Sequence, residues 1–168
     1  IKGNRIWKGA KTALGEGLKN VAFIRSQIEQ VANYFGPAEI KNIWITFPDP
    51  QLRGSKMKKR LTHPRFLRLY QQFLSKDGLV HLKTDSPDLY DFTRTVVKLY
   101  GLTLMTDSDD IYGKGDATEI LSIKTHYEQL DIAKSQKVHY LCFKLDKELP
   151  LEKDKELRAL FSSEDDTA

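Results

Sequence analysis

The sequence has little cysteine and no long hydrophobic run. Its 168 residues contain one cysteine, Cys142, which has no internal disulfide partner and lies in an apolar segment. This lone thiol indicates a small core residue in a reducing compartment. No apolar stretch approaches the roughly 20 residues that span a bilayer, and nothing resembles a signal peptide. We therefore expect a cytoplasmic protein without a membrane partner.

Paired metal ligands and a glycine-rich cofactor loop are also missing. The histidines are scattered without the spacing of a metal site, so we expect no bound metal. A phosphate or cofactor loop follows a strand and precedes a helix. Gly15-Glu16-Gly17 has the reverse context, and Gly113-Lys114-Gly115 fails likewise. The chain begins Ile1-Lys2-Gly3 with no strand before its first helical pattern. We therefore expect it to be the later part of a longer protein.

What is present is an alternation of strand and helix patterns that predicts an α/β fold. A chain of 168 residues suits a single domain, which we place at residues 1–161, followed by a disordered acidic tail at 162–168. Helical spacers between strands predict right-handed crossovers and a mostly parallel sheet. The last strand is expected to insert antiparallel beside the strand at 102–105. The predicted helices are 5–14, 28–35, 65–74, 88–100, 119–133 and 151–161, and the predicted strands are 21–24, 43–47, 79–83, 102–105 and 138–145.

An isolated acidic residue follows the predicted strand at 43–47. Asp49 lies between Pro48 and Pro50, which keep it out of both strand and helix. In open α/β sheets, ligands bind at the carboxyl ends of the strands. Asp49 is therefore a candidate site residue, although a solvated aspartate in a stiff turn is an equal alternative.

A dense cationic segment follows that aspartate. Residues 53–60 contain Arg53, Lys56, Lys58, Lys59 and Arg60 and no acid. Neighbouring cations repel one another, and the usual compensation is a polyanion. The net charge is only +4, yet the basic residues concentrate near the middle and the tail is acidic. This asymmetry favours a nucleic-acid surface, against the alternative of a nonspecific basic loop. Thr62 is then predicted to cap the helix that begins near Pro64.

Four motifs occur in order between about Lys2 and Leu145. They are Phe47-Pro48-Asp49-Pro50 with the cationic segment, Leu61-Thr62-His63-Pro64, His81-Leu82-Lys83-Thr84-Asp85, and Thr125-His126-Tyr127-Glu128. Together they resemble the bacterial tRNA (guanine-N(7)-)-methyltransferase family. The resemblance implies a Rossmann-like class I methyltransferase sheet, mostly parallel with an antiparallel C-terminal strand, whose N-terminal strands are missing from this chain. It also implies methyl transfer from S-adenosylmethionine to N7 of the variable-loop guanosine, position 46, of tRNA, by a monomer or homodimer.

The resemblance assigns roles to matching positions. Asp49 becomes the catalytic acid and a cofactor-binding residue, and Gln27 falls where the family binds the cofactor adenine. The substrate-binding residues are Arg53, Asp85, Thr125, His126, Tyr127 and Glu128. The RNA-contacting residues are Ser55, Lys56, Met57, Lys58, Lys59 and Arg60.

Several positions depart from the family pattern. Gln51 replaces a common tryptophan, Gly54 interrupts the cationic run, Arg53 replaces a lysine, and Gln27 replaces an Asp or Asn. The usual glycine-rich cofactor cradle is absent from the sequence, so the fragment alone is expected to bind the cofactor weakly or not at all. Asp85 could instead cap the next helix, and Glu128 could be a surface residue. Two alternatives stay open: a noncatalytic RNA-binding module of the same fold, and a methyltransferase acting on another RNA.

Overall fold

The computed structural model describes residues 3–113, 115, 117–125, 128 and 137–162, which form a mixed sheet with helices on it. Two 3-10 helices, Ile28–Asn33 and Gly54–Lys59, flank the first strand. The strands are β1 Ile40–Thr46, β2 Leu74–Thr84, β3 Leu104–Ser108 and β4 His139–Lys144. The α-helices are α1 Gly3–Gly15, α2 Pro64–Tyr70, α3 Pro87–Tyr100, α4 Glu119–Ser122 and α5 Lys153–Ser162.

The sheet has four strands in the order β1-β2-β4-β3. β1 and β2 are parallel, and β4 is antiparallel to both β2 and β3. β1, β2 and β3 therefore run in one direction, and the C-terminal strand β4 runs against them. The predicted α/β class and the antiparallel C-terminal strand beside β3 are both confirmed.

The two faces of the sheet are buried by different clusters. On one face, Val80 and Leu82 of β2 and Phe143 of β4 pack with α2, α3 and α5. Phe143 is completely buried, which contributes about 1.5–3 kcal/mol relative to exposure. The opposite face carries Cys142 of β4, in a smaller cluster with Ile111, Leu121, Val138 and Tyr140. Cys142 is a buried free thiol, as the sequence predicts.

Local capping explains where the helices that follow β1 and β2 begin and end. Ser86 caps α3 by accepting a hydrogen bond from the Leu89 amide, at 3.2 Å, and Pro87 occupies the first turn. Gly101 ends α3 at φ 66°, a left-handed conformation that suits glycine. The cap of α2 is His63, whose Nδ1 accepts from the Arg65 amide at 3.1 Å. The predicted Thr62 cap is wrong, because the buried Thr62 hydroxyl hydrogen-bonds the Thr93 hydroxyl at 2.8 Å and His63 makes the cap.

Several predicted elements differ from the structure. The helix predicted at 65–74 is shorter, because α2 ends at Tyr70 and β2 begins at Leu74. Residues 21–24 form no strand, and Val21, Phe23 and Ile24 are 43–49% exposed, so this apolar run finds no sheet partner among the described residues. The helix predicted at 28–35 is a shorter 3-10 helix. The helix predicted at 119–133 is interrupted, because α4 ends at Ser122 and Ile123 is extended. Most of the remainder of that range, and the tail beyond residue 162, lie outside the described residues.

In the part of the chain described here, no helix has the length and apolar character needed to cross a membrane.

Candidate active site and nucleic-acid interface

The carboxyl ends of β1 and β2 meet at one edge of the sheet. Thr46 pairs with Lys83 in the parallel register, and the Phe47 amide donates to the Lys83 carbonyl at 2.8 Å. Asp49 follows three residues after Thr46, and Asp85 follows two residues after Lys83. Both predicted acids therefore leave the sheet from the same edge, on adjacent strands, where α/β proteins bind ligands.

Asp49 lies in a tight, exposed turn. Its Oδ1 accepts a hydrogen bond from the Gln51 amide at 3.0 Å, and the residue is exposed to solvent. Phe47 and Gln51, on either side, have φ values of 46° and 50°. Left-handed backbone is unusual for side chains of this size and is often found at functional sites. The turn presents the Asp49 carboxylate outward at the sheet edge.

Asp85 is half-buried directly after β2, and it does not cap α3. The side chain of Ser86 makes that cap, and the Ser86 amide donates to the Thr84 hydroxyl at 3.1 Å. The alternative interpretation of Asp85 as the helix cap is therefore wrong. Its carboxylate is not needed for helix initiation and can serve a ligand at the edge.

The cationic segment forms the second 3-10 helix beside this edge. Its side chains Arg53, Ser55, Lys56, Lys58 and Lys59 are all exposed. Within the described ranges, no carboxylate lies at ion-pair distance from these four cations. We call this group (Arg53, Ser55, Lys56, Lys58 and Lys59) the cationic surface. It combines strong positive charge with free access to solvent, which suits phosphate binding.

Two residues predicted to contact RNA are instead part of the protein interior. Met57 is 4% exposed and packs in the main hydrophobic cluster, and Arg60 is 5% exposed. An amphipathic 3-10 turn must bury one side chain against the core, and Met57 is that residue. The prediction that the side chains of Met57 and Arg60 face RNA is therefore corrected by their burial.

Arg60 holds the cationic segment against the turn that contains Asp49. Its Nε donates to the Gln51 carbonyl at 3.3 Å and its Nη2 to the Leu52 carbonyl at 3.4 Å. The guanidinium also lies over the rings of Phe92 and Phe161, at 4.5 and 5.8 Å from the ring centroids. Cation–π contacts of this kind strengthen when they are desolvated. Arg60 therefore brings the two ends of the segment together and attaches them to α3 and α5.

A buried ionic network lies at the same edge, and the sequence interpretation missed it. Lys83 Nζ and Glu128 Oε1 are 2.9 Å apart, with side chains 3% and 5% exposed. Tyr112 joins the pair, donating to Glu128 Oε1 at 2.8 Å and accepting from Lys83 Nζ at 3.2 Å. The available sequence signal was a single lysine among the otherwise uncharged strand residues 79–84, since a charge in a buried strand rarely lacks a partner. That signal does not identify the partner.

Glu128 and Thr125 form a reciprocal turn. Glu128 Oε2 accepts from the Thr125 amide at 2.6 Å, and the Glu128 amide donates to the Thr125 hydroxyl at 3.2 Å. This is a capping-box arrangement. Burial opposes ionisation, yet hydrogen bonds from Lys83, the Thr125 amide and Tyr112 outweigh it and hold the pKa of Glu128 below its usual range. Glu128 is therefore a buried carboxylate and not a surface residue. The predicted His126 and Tyr127 lie outside the described residues.

Gln27 lies apart from these groups. It is exposed at the start of the first 3-10 helix, and its side chain makes no capping hydrogen bond. No hydrogen bond between described residues connects it to the turn of Asp49. The structure thus brings Asp49, Asp85, the cationic surface and the Lys83 network to one edge, and it leaves Gln27 outside that contact network.

Metal binding has no support among the described residues, because they contain no group of three His, Cys, Asp or Glu side chains that could hold an ion.

Comparisons with known proteins agree on one family. Residues 2–141 match a family described as "Putative methyltransferase". A tRNA (guanine-N(7)-)-methyltransferase of Porphyromonas gingivalis is 49% identical over 146 residues, which are 86% of this chain and 59% of that protein. The protein of the same name from Christiangramia forsetii is 43% identical over 146 residues, 86% of this chain and 65% of its own. That of Cytophaga hutchinsonii is 37% identical over 153 residues, 90% of this chain and 68% of its own. The chain thus spans roughly three fifths to two thirds of the length of these relatives.

Proposed function

Because the chain belongs to the tRNA (guanine-N(7)-)-methyltransferase family, we propose that the full-length protein transfers a methyl group from S-adenosylmethionine to N7 of the variable-loop guanosine, position 46, of tRNA. The observation that carries this proposal is the pairing of an exposed carboxylate turn with an exposed cationic surface at one sheet edge. A methyltransferase that acts on RNA uses cations to bind the phosphates and a polar group to orient the base. The cationic surface and the Asp49 carboxylate can serve these two tasks.

Guanine N7 chemistry sets modest demands on the protein. The N7 atom has a free lone pair and no proton to lose, so attack on an activated methyl group needs alignment far more than a general base. A carboxylate can help in two ways. It can accept hydrogen bonds from guanine N1–H and the exocyclic amine, and its charge can offset the positive charge that develops on the purine.

Asp49 and Asp85 are the carboxylates best suited to those tasks. Asp49 is exposed, and Asp85 is half-buried and released from helix capping. Glu128 is less available, because both of its oxygens already accept hydrogen bonds within the protein. We assign Asp49 as the catalytic residue, Asp85 as a second base-binding acid, and Glu128 as a support for the Thr125 turn.

The cationic surface would hold the tRNA backbone. Arg53, Lys56, Lys58 and Lys59 carry four positive charges into solvent, and the Ser55 hydroxyl can donate to a phosphate oxygen. Contacts of this kind position nucleic acid without reading its sequence. Arg53 can engage a phosphate through two parallel hydrogen bonds, a geometry that lysine lacks.

The residues present offer a partial fit to S-adenosylmethionine, which supplies the transferable sulfonium methyl group when bound. The Gln27 side chain is exposed and makes no capping hydrogen bond, and its amide can both donate to and accept from an adenine edge. The Asp49 carboxylate can attract the positive charge of the cofactor. These two residues would contribute to the site, and the rest of the cofactor surface requires residues beyond those described.

Single-turnover methyl transfer to unmodified tRNA tests the proposal. The full-length protein is assayed with labelled S-adenosylmethionine, the modified position is mapped, and Asp49→Asn is compared with the parent. Asparagine keeps the size and removes the charge, so we expect the chemical step to slow by roughly 10²- to 10³-fold while tRNA affinity stays nearly constant. Asp77→Asn is the matched control, because Asp77 is a 93% exposed aspartate near the start of β2.

Each outcome has a distinct meaning. A parent that binds tRNA and never methylates it would support the noncatalytic RNA-binding alternative. Methylation of a different RNA or position would overturn the assigned substrate. An Asp49→Asn variant that reacts at the parent rate would reduce Asp49 to a strand-exit residue.

A further inference from the structure

The buried pair of Lys83 and Glu128 links β2 to a segment that lies far away in the sequence. The two side chains are almost fully removed from water, at 3% and 5% exposure. Burying two charges is costly unless the remaining donors and acceptors are also satisfied. The structure meets that condition, because both Lys83 and Glu128 make further hydrogen bonds within the protein. The pair therefore has fixed geometry.

Lys83 uses its ammonium group to gather several oxygens around one point. Besides Glu128 and the Tyr112 hydroxyl, Nζ donates to the backbone carbonyls of Leu121, at 3.0 Å, and Ile123, at 3.3 Å. These carbonyls lie at the end of α4 and directly after it. One strand residue therefore fixes the chain that leads from α4 toward Thr125.

Glu128 connects Lys83 to the Thr125 turn through its two carboxylate oxygens. One carboxylate oxygen faces Lys83 and Tyr112, and the other accepts from the Thr125 amide at 2.6 Å. The Thr125 hydroxyl returns a contact by accepting from the Glu128 amide. Removing the ammonium would leave the carboxylate buried without its charge partner, and the turn would lose its fixed end.

The backbone of Lys83 serves the other side of the site. Its carbonyl accepts from the Phe47 amide at 2.8 Å, where β1 leads into the Asp49 turn. Its Nζ also lies 5.9 Å from the centroid of the Phe47 ring. The same residue thus contacts the exit of β1 through its backbone and the Thr125 turn through its side chain.

We propose that Lys83 is a positioning residue that holds the turn of Thr125 and Glu128 against the carboxyl edge of the sheet, with Tyr112 as its second support. Lys83 does not touch the guanine, and it acts through the Glu128 carboxylate and the backbone of the turn. The inference rests on the proposed function for its kinetic consequence, whereas the ordering of the turn can be measured without any methyl transfer.

The pKa of Glu128 provides a measurement that a simple loss of stability would not change. Among the described residues, Glu128 contacts Lys83 from β2, Tyr112 from the loop after β3, and the backbone amide of Thr125. Lys124 approaches the Tyr112 ring, with its Nζ 5.0 Å from the ring centroid. Hydrogen bonds from Lys83 and its neighbours keep the pKa of Glu128 low against the effect of burial. Without Lys83, burial dominates and that pKa rises.

The test compares Lys83→Met with Lys144→Met in the full-length protein. Lys144 is also a strand lysine near an acid, 4.0 Å from Asp77, away from the site. For Lys83→Met we expect hydrogen exchange of the Thr125 amide to speed up roughly 10-fold or more. We also expect kcat/KM for tRNA to fall by up to about 100-fold, because a misplacement of about 1 Å in a site can cost that much in rate. The affinity for tRNA should stay within about threefold, because the cationic surface supplies the phosphate contacts. Lys144→Met should leave all three quantities at their parent values.

The pH profile separates positioning from stability. In the parent, Glu128 stays ionised to low pH, and in Lys83→Met its raised pKa should move the acid limb of kcat/KM to higher pH. Tyr112→Phe gives a milder version if Lys83→Met does not fold, because it removes one hydroxyl without stranding a charge. It should speed Thr125 exchange by a smaller factor and shift the limb in the same direction.

The inference is overturned if folded Lys83→Met, or Tyr112→Phe in its place, keeps the parent exchange rate at Thr125 and the parent pH profile. A parent that methylates no tRNA would overturn the proposed function instead, and Thr125 exchange would then still decide whether Lys83 orders the turn.

Discussion

Two groups of charged residues lie at the same edge of the sheet, and they are built in opposite ways. The cationic surface exposes Lys56, Lys58 and Lys59 to solvent, with no carboxylate at ion-pair distance in the described ranges. In the second group, Lys83 and Glu128 face each other at 2.9 Å and are almost fully buried. Lysine occurs in both groups, but it is exposed to solvent in the first and buried beside a carboxylate in the second.

The difference shows that burial decides what a charge can do at this edge. Exposed cations keep their hydration and can exchange counterions for phosphate, so they are suited to binding. Buried charges have lost water and depend on fixed partners, so they are suited to holding a geometry. Arg60 belongs to the cationic segment by sequence and to the second group by structure, because it is 5% exposed and donates to backbone carbonyls.

Breaking the buried pair should give the largest effect on stability. Glu128→Gln removes the negative charge and leaves the Lys83 ammonium buried, which we expect to cost about 3 kcal/mol of unfolding free energy, near the lower end for such changes because Lys83 keeps three other oxygens. Lys59→Gln on the exposed helix should stay within about 0.5 kcal/mol of the parent. Urea denaturation of both variants measures the difference. A loss below about 1 kcal/mol for Glu128→Gln would mean that the pair behaves like an exposed one.

Removing the exposed cations should instead affect binding. With four exposed cations, tRNA binding should weaken with salt at a log–log slope of about −2.8 to −3.6, at roughly 0.7 to 0.9 per phosphate. The triple change of Lys56, Lys58 and Lys59 to alanine should flatten that slope by about two to three units. It should lower affinity by roughly 100- to 500-fold at 0.1 M salt, since each of the three lost contacts contributes roughly a factor of 5 to 8.

Arg60→Ala is the sharpest control for that measurement. It removes a cation from the same segment, yet its side chain is buried, so we expect the salt slope to stay nearly unchanged while stability falls. Titrations of tRNA at several salt concentrations, with urea denaturation alongside, give both numbers. A slope that flattens by a full unit in Arg60→Ala would place its charge at the RNA.

Sequence patterns predicted the strands and helices that build this edge of the sheet. They failed where tertiary contacts determine whether an element forms or a side chain is buried. The apolar run before Asp49 and the helical spacing of residues 88–100 are local signals, and β1 and α3 follow them. The membership in the methyltransferase family was also predictable, and the relatives confirm it. Residues 21–24 carry the same local signal as a strand, yet strand formation requires a hydrogen-bonding neighbour, which is not a property of the segment itself.

The buried network could not be derived from the same patterns. Lys83, Tyr112 and Glu128 are separated by tens of residues, and their meeting depends on the position of α4 and the loop after β3. Within residues 53–60 the sequence likewise shows which side chains are charged. It does not show which side chains are buried. Met57 and Arg60 were grouped with the RNA contacts for that reason. The roles assigned to Asp49, Asp85 and the cationic surface stay predictions.

Acid should weaken the protein at the start of α2, where His63 caps the helix three residues after the cationic segment ends. Burial lowers the pKa of His63 from 6.5 to about 4, and its Nδ1 accepts from the Arg65 amide, which requires the neutral ring. Between pH 6.5 and about 4 the unfolded chain therefore binds a proton that the folded protein refuses. Stability is lost as pH falls through this window, by about 2–3 kcal/mol from His63.

His63→Asn isolates that contribution. Asparagine also caps helices and does not titrate, so unfolding free energies from pH 7 to pH 4.5 should fall less steeply in the variant than in the parent. Burial also lowers the pKa values of His81 and His139, and the difference between the two curves removes their share. Parallel curves would mean that His63 titrates alike in the folded and unfolded states.

The smallest effect tests whether the turn that contains Asp49 depends on strained backbone. Gln51 has φ 50° beside Asp49, a conformation that costs a side chain about 1–2 kcal/mol. Gln51→Gly relieves that strain and adds unfolded-chain entropy worth roughly 0.5–1 kcal/mol, so we expect a net gain of about 0.5 kcal/mol in stability, with the amide contact to Asp49 and the methylation rate preserved. Gln30→Gly, in the first 3-10 helix and outside the left-handed region, should lose roughly 0.5–1 kcal/mol. Thermal denaturation of the two variants compares them directly, and an equal loss in both would show that the Gln51 side chain makes contacts which offset its strain.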